Sequence, residues 1–192
     1  MSTRKSRERQ ATLIDATIEV LVESGLTAAT TRAVTQRAGV GTGLLNHYFR
    51  WPELRAAAWQ ALFEEVAKDQ FEQEQTPQIV MERYFREAFV EAARPYWRLW
   101  IEATELAASD KPMRNALKSI QARMQDGLAR VLSDGCESGS WRLPDPEASA
   151  LRLGALYDGL AGLLISGISP VSPDSAEKHL RKAFALECGA EQ

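Results

Sequence analysis

The stretch TTRAVTQRAGVGTGLLNHYF, residues 30–49, decides the fold. It holds two short apolar-periodic segments on either side of Gly39. Thr30 has the side chain of a helix N-cap, and Gly39 supplies the left-handed residue that closes a helix. A second short helix then runs over residues 42–49, giving two helices joined by a glycine turn. Val34, Ala38, Val40, Leu45 and Phe49 are placed to lock one helix across the other. Thr42, Gly43, Leu44, Asn46 and His47 are left on or near the outer side, a mixture of small and hydrogen-bonding residues that suits close approach to base edges and phosphates. Spacing alone also permits an ordinary helical hairpin at a corner of the fold.

Upstream, residues 7–24 place Ile14, Ile18, Leu21 and Val22 on one helical stripe and Asp15, Glu19 and Glu23 on another. Gly25 ends that helix, and Leu26 is placed to fold back as its hydrophobic contact. Downstream, Pro52 suits a first helical turn, and the pattern continues through Trp59, Leu62, Phe63 and Val66 to residue 73. After Thr76-Pro77, helical periodicity covers residues 77–93, 95–108 and 112–134. A turn-rich stretch follows at 135–146, then an eighth helix at 147–167 and a ninth at 173–187. No strand-like alternation persists. The expected fold is all-α with about nine helices. A three-helix helix-turn-helix domain over residues 1–52 is followed by a helical bundle over residues 53–192.

Charge separates the same two parts. Net charge is −3, yet residues 1–55 carry eight Lys/Arg against five acids, a balance of +3, and the remainder carries −6. A basic module on an acidic body suits a chain with one end that meets phosphate. With 45% hydrophobic and 26% charged residues, the composition is that of a folded globular chain. The apolar run 153–168 is broken by Asp158 and falls short of the roughly 20 residues a bilayer span needs. The basic first nine residues are followed by Asp15, Glu19 and Glu23 rather than a secretory apolar core. The expectation is a cytoplasmic protein with no membrane partner. Cys136 and Cys188 lack metal-ligand spacing, and His47 and His179, the two histidines, form no nucleophile or metal pattern. No catalytic residue, metal or cofactor is expected, and an enzyme is disfavoured.

Thr30, Thr31, Ala38, Gly39, Val40, Gly43, Leu45, Tyr48 and Phe49 together resemble the signature of the TetR family of one-component transcriptional regulators, over about residues 7–63. TGLLNHYF and the ALYDGLAGLLISG segment at 155–167 are most similar to the choline-responsive BetI type. The resemblance implies phosphate contacts from Thr31 and Tyr48, a guanine contact from Arg32, and a major-groove face of Thr42, Gly43, Asn46 and His47. Arg4, Lys5, Arg7 and Arg9 would form a basic arm along the backbone or in the minor groove. Three positions depart from the family pattern: Gly41 stands where a capping Ser or Thr is usual, Asn46 where Tyr is common, and Pro52 where a phosphate-contacting Lys is common. Thr42 is a substitute cap, and Arg50 or Arg55 a substitute charge.

In the bundle, Trp97, Trp100, Ile101 and Thr104 share a stripe expected to point inward, most simply as core. Glu105 at its edge, with Tyr96 and Tyr157, offers the aromatic faces and carboxylate that attract ammonium groups, so a small-molecule effector of cationic amine type is the expected ligand. Glu102 lies four residues from Arg98 and reads as half of a solvated ion pair. Asp158 interrupts an apolar helix and reads as a buried acid, whether at a dimer interface, internally bonded or touching ligand. Gly154, Gly159 and Gly162 permit close helix approach, and the eighth and ninth helices form the expected homodimer interface. The function implied is a ligand-responsive regulator, a repressor released from a double-stranded DNA operator by its effector. The alternative is a helical binding or adaptor protein whose helix-turn-helix no longer reads DNA.

Overall fold

The computed structural model describes residues 3–189, so the outermost ends of the two expected domains, 1–2 and 190–192, lie outside the described residues. Among those described there are nine α-helices and no strand. They are α1 (Thr3–Ser24), α2 (Thr31–Ala38), α3 (Thr42–Tyr48), α4 (Trp51–Phe71), α5 (Pro77–Ala88), α6 (Arg94–Leu106), α7 (Lys111–Glu137), α8 (Pro146–Ser166) and α9 (Pro173–Glu187), with a single 3-10 turn at Glu91–Ala93. The break between α5 and that turn replaces the continuous helix expected over 77–93.

Packing divides the chain into two compact units. One runs up to Glu64 and adds Arg98–Ile120; the other comprises Glu65–Trp97 and the residues from Gln121 on. Packing thus assigns the first two thirds of α4, most of α6 and the start of α7 to the unit that contains the helix-turn-helix.

In the first unit α1 buries Leu13, Ala16, Thr17, Val20 and Leu21, while Ile14, Ile18 and Val22 are only half-buried. The inward stripe is therefore rotated from the one expected. Thr17 explains the shift: its hydroxyl donates to the Leu13 carbonyl at 2.6 Å, so a polar residue can face the core with its donor satisfied. Trp59 on α4 is fully buried, and its indole N–H donates to the Leu99 carbonyl at 3.1 Å. Its ring lies 4.5 Å from Phe63 and 5.6 Å from Trp100.

In the second unit, Phe71, Tyr84, Phe85, Phe89, Trp97, Leu132, Leu153 and Leu180 belong to one core. Arg181 ties α9 to α5 through both oxygens of Glu82, at 2.7 Å each, with its guanidinium 4.9 Å from the Phe85 ring centre. Glu187 on α9 accepts from the α8 residues Ser149 at 2.7 Å and Arg152 at 2.5 Å. Asp145 caps α8 through the Ala148 N–H, and Ser172 with Ser175 forms a capping box on α9. At 21 residues, α8 has the length expected of the eighth helix, and by length and composition it could cross a bilayer. Its Arg152–Glu187 pair and its contacts with α9 instead mark it as a packing helix.

The turn-rich stretch after α7 is organised by Trp141. Its indole N–H donates to the Leu132 carbonyl at 2.8 Å, and its ring meets Phe184 edge-on at 5.3 Å. A Cβ built on Gly135 would lie 1.9 Å from the Trp141 ring, so only glycine permits this approach. Gly135→Ala is expected to displace the indole and cost about 1–3 kcal/mol, the range for overpacking, despite alanine's better helix propensity. Chemical denaturation checks this, and unchanged or increased stability would contradict it.

Candidate nucleic-acid interface and effector residues

The local chemistry of the helix-turn-helix forms as its sequence dictates. The Thr30 hydroxyl accepts the Ala33 N–H at 3.2 Å, and Gly39 closes α2 with φ 65°. Val34 and Leu45 are fully buried and seat α3 on α2, with Ala38, Val40 and Phe49 half-buried around them. Gly41 occupies the N-cap of α3 without a side-chain bond, and Thr42 lies inside the helix rather than capping it. Thr42, Gly43, Asn46 and His47 are exposed together, and nothing lies within 4 Å of a Cβ placed on Gly43. The His47 ring sits edge-on to Tyr48 at 4.9 Å. Thr31 and Tyr48 are half-buried, whereas Arg32 and Arg50 are exposed.

The basic residues of this unit fall into two groups. Arg37 bridges Glu19 at 2.8 Å and Glu23 at 2.6 Å, pinning α2 to α1 and holding the Glu23 carboxyl below its usual range. Arg55 pairs with Asp110 at 2.8 Å, with both side chains largely buried, and lies 5.9 Å from the Trp51 ring centre. Asp110 also accepts the Met113 N–H at 2.9 Å. Arg55 is thus committed within the fold and is unsuited to replace the missing connector-helix lysine, which leaves Arg50. The side chains of Lys5, Arg7, Arg9, Arg32 and Arg50 make no hydrogen bond or ion pair among the described residues. The segment expected as an arm is instead the first turns of α1, where Arg4 pairs with Glu8 at 3.0 Å. Helical hydrogen bonding from Thr3 onward fixes these cations along one rod.

The expected effector residues divide between the units. Trp97 and Tyr157 converge in the second, where the indole N–H and the phenol O–H both donate to the Ala88 carbonyl, at 3.1 and 3.2 Å. Tyr157 stacks on Phe89 at 5.3 Å and lies 5.9 Å from Tyr84. Burial is the first cause of its raised phenol pKa, about 12, and burial also raises that of Tyr84. Trp100 belongs to the first unit, in the stack with Trp59 and Phe63. Ile101, Thr104 and Glu105 are exposed, correcting the inward stripe, and the Thr104 hydroxyl is returned to the Trp100 carbonyl at 3.0 Å. Tyr96 is half-buried. Asp158 is exposed and not a buried acid; it lies on the outer face of α8 with Leu151, Ala155, Gly159 and Leu163.

One pair departs from the sequence expectation. Glu102 makes no solvated pair with Arg98: both reach the end of α1. The Leu26 N–H donates to Glu102 Oε2 at 2.5 Å, and Arg98 donates to the Val22 carbonyl at 2.9 Å. The local i, i+4 spacing offered each a nearer partner, and nothing in the sequence identified contacts 76 residues away.

A two-helix unit with an exposed polar face, and with cations that have no partner among the described residues, has the arrangement of a helix-turn-helix DNA-binding protein. Comparison with known proteins carries this further. Residues 13–50 match the family described as bacterial regulatory proteins, tetR family, and residues 77–189 match the BetI-type transcriptional repressor C-terminal domain. The HTH-type transcriptional regulator BetI of Escherichia coli is 31% identical over 167 residues, covering 79% of this chain and 80% of that protein. A TetR transcription regulator from Haloarcula marismortui shares the fold with a TM-score of 0.79 at 17% identity, over 94% of this chain and 98% of that one. A transcriptional regulator from Saccharomonospora viridis in complex with choline does so with a TM-score of 0.76 at 17% identity, over 94% and 96%. The chain belongs to the TetR family of transcriptional regulators, with a C-terminal domain of BetI type.

The raised phenols of Tyr84 and Tyr157 carry a pH consequence. A folded-state pKa above the unfolded value near 10 contributes stability that is complete below that value and is lost as pH rises through the folded pKa. Ultraviolet titration should show Tyr84 and Tyr157 resisting ionisation until about pH 12 or global unfolding, with Tyr157→Phe removing part of the alkaline destabilisation. Four tyrosines ionising together near their ordinary value in the folded protein would contradict this.

Proposed function

We propose that this chain is a cytoplasmic homodimeric repressor, not an enzyme, that leaves its operator when a small cationic amine binds the C-terminal domain. Residues 1–52 act as the reading head, and residues 53–192 bind effector and dimerise. The observation that carries this reading is the jointly exposed face of Thr42, Gly43, Asn46 and His47 on a helix held by fully buried Leu45. Side chains at the N-terminal end of such a helix reach base edges in the major groove. Arg32 reads a guanine, Thr31 and Tyr48 hold phosphates, and Arg50 supplies the phosphate charge absent at Pro52. Arg4, Lys5 and Arg7 add affinity that is independent of sequence.

The BetI-type C-terminal domain and the choline complex of the Saccharomonospora viridis regulator favour an amine effector. The aromatic faces of Tyr96, Trp97 and Tyr157 are the cation-attracting surfaces in this reading. Trp100 is engaged with Trp59 and Phe63, and exposed Thr104 and Glu105 become peripheral. The dimer forms through α8 and α9. Leu151, Ala155, Asp158, Gly159 and Leu163 make an outward stripe on α8, and a Cβ on Gly159 or Gly162 would meet nothing within 4 Å. A second helix can therefore approach closely, with Asp158 as a register point.

Binding to duplexes selected from a randomised library tests the central reading. Affinity should fall steeply with rising salt, because each neutralised phosphate releases counterions, and Arg32→Ala should lose about 1–3 kcal/mol of discrimination at one base pair. No duplex selected at any salt concentration would favour the adaptor alternative. Leu163→Glu should convert the dimer to a folded monomer in light scattering; an unchanged dimer would move the interface elsewhere. In thermal shift, choline should raise Tm while neutral lipophiles do not, and the reverse pattern would remove the cationic effector.

A further inference from the structure

The end of α1 is completed by another helix. Gly25 adopts φ 88°, and its N–H returns to the Leu21 carbonyl at 2.8 Å, the simple left-handed closure. In the fuller Schellman closure the next N–H, that of Leu26, would also bond a carbonyl of its own helix. Here it donates to Glu102 of α6 at 2.5 Å. The Val22 carbonyl, which the Gly25 N–H would bond in that closure, and the Glu23 carbonyl accept from Arg98 instead, at 2.9 and 3.4 Å. The fit is tight: a Cβ on Gly25 would lie 2.8 Å from Glu102 Oε1. Glycine is therefore needed both for its φ and for the approach of the carboxylate. Arg98 holds this grip at a cost, since its Nε is buried without a hydrogen-bond partner.

We propose that Arg98 and Glu102 are positioning residues for operator recognition: by finishing α1 from α6, they fix the angle at which the chain enters the helix-turn-helix. Three features support this. The donor and acceptors involved are backbone groups at the turn leading to Thr30 and α2, so the grip acts on chain direction. The Arg98 charge matches the helix end, a cation on terminal carbonyls, while the Glu102 carboxylate is held by the Leu26 N–H. Without the pair, Leu26 N–H can return to its own helix, which gives the turn a second arrangement.

The inference rests on the dimeric operator-binding reading, and the test separates the two. Glu102→Ala, Arg98→Ala, Glu102→Gln and Arg98→Lys are compared with wild type on two duplexes derived from one selected site, carrying either both half-sites or a single one. The alanine variants should lose about tenfold in affinity for the two-half-site duplex, the scale of one charge-assisted hydrogen bond. Their affinity for the single half-site should stay within about twofold. Glu102→Gln, which keeps an acceptor for Leu26, should recover most of the loss, and Arg98→Lys part of it. Equal affinities for wild type and variants, or equal losses on both duplexes, overturn the positioning role. If the alanine variants do not fold, Arg98→Lys decides: no loss on the two-half-site duplex overturns the proposal. Amide exchange gives an independent check, because Leu26 should be protected in the wild type and faster in Glu102→Ala. An unprotected wild-type Leu26 removes the contact itself. Failure of wild type to bind any duplex counts against the dimeric operator-binding reading rather than against this pair.

Discussion

The N–H of Leu26 is the constraint around which the DNA-binding unit is built. A helix end leaves carbonyls and a following N–H to be satisfied, and when they are buried they need partners. In this chain those partners come from α6, as the carboxylate of Glu102 and the guanidinium of Arg98. Arg37 then locks α2 onto α1 through Glu19 and Glu23, and Leu45 locks α3 onto the resulting base. Each step positions the next, ending at the exposed face of α3.

What the sequence made legible was whatever is decided within a few residues. Thr30 as cap, Gly39 and Gly25 as closing residues, Leu26 as the buried fold-back contact and the two short helices of residues 30–49 all depend on neighbouring backbone geometry. Longer-range choices were not legible. Glu102 and Arg98 had a plausible local pairing that lost to part-buried backbone groups at the end of α1, for which a charge-assisted bond is stronger than a solvated one. The inward turn of Thr17 was not legible either, because it depends on the preceding turn accepting its hydroxyl. Asp158 was read as buried because its neighbours in sequence are apolar, yet those residues divide between the core face and the outer face of α8.

The distribution of cations separates structural from available charge. Arg37 and Arg55 are taken up by ion pairs inside the first unit, while Lys5, Arg7, Arg9, Arg32 and Arg50 have uncommitted side chains among the described residues. A raw count of basic residues could not make that distinction. The second unit uses its aromatic residues in a similarly specific way: Trp97 and Tyr157 both direct a polar hydrogen to one carbonyl, and Phe89 packs against both rings.

The most direct measurement is the structure of the protein bound to a selected duplex. In that complex Thr42, Asn46 and His47 are expected in the major groove within hydrogen-bond reach of base edges, with the Leu26 N–H still on Glu102. A complex in which α3 lies outside the groove, or in which Glu102 has left the end of α1 while the head remains seated on DNA, would contradict this expectation.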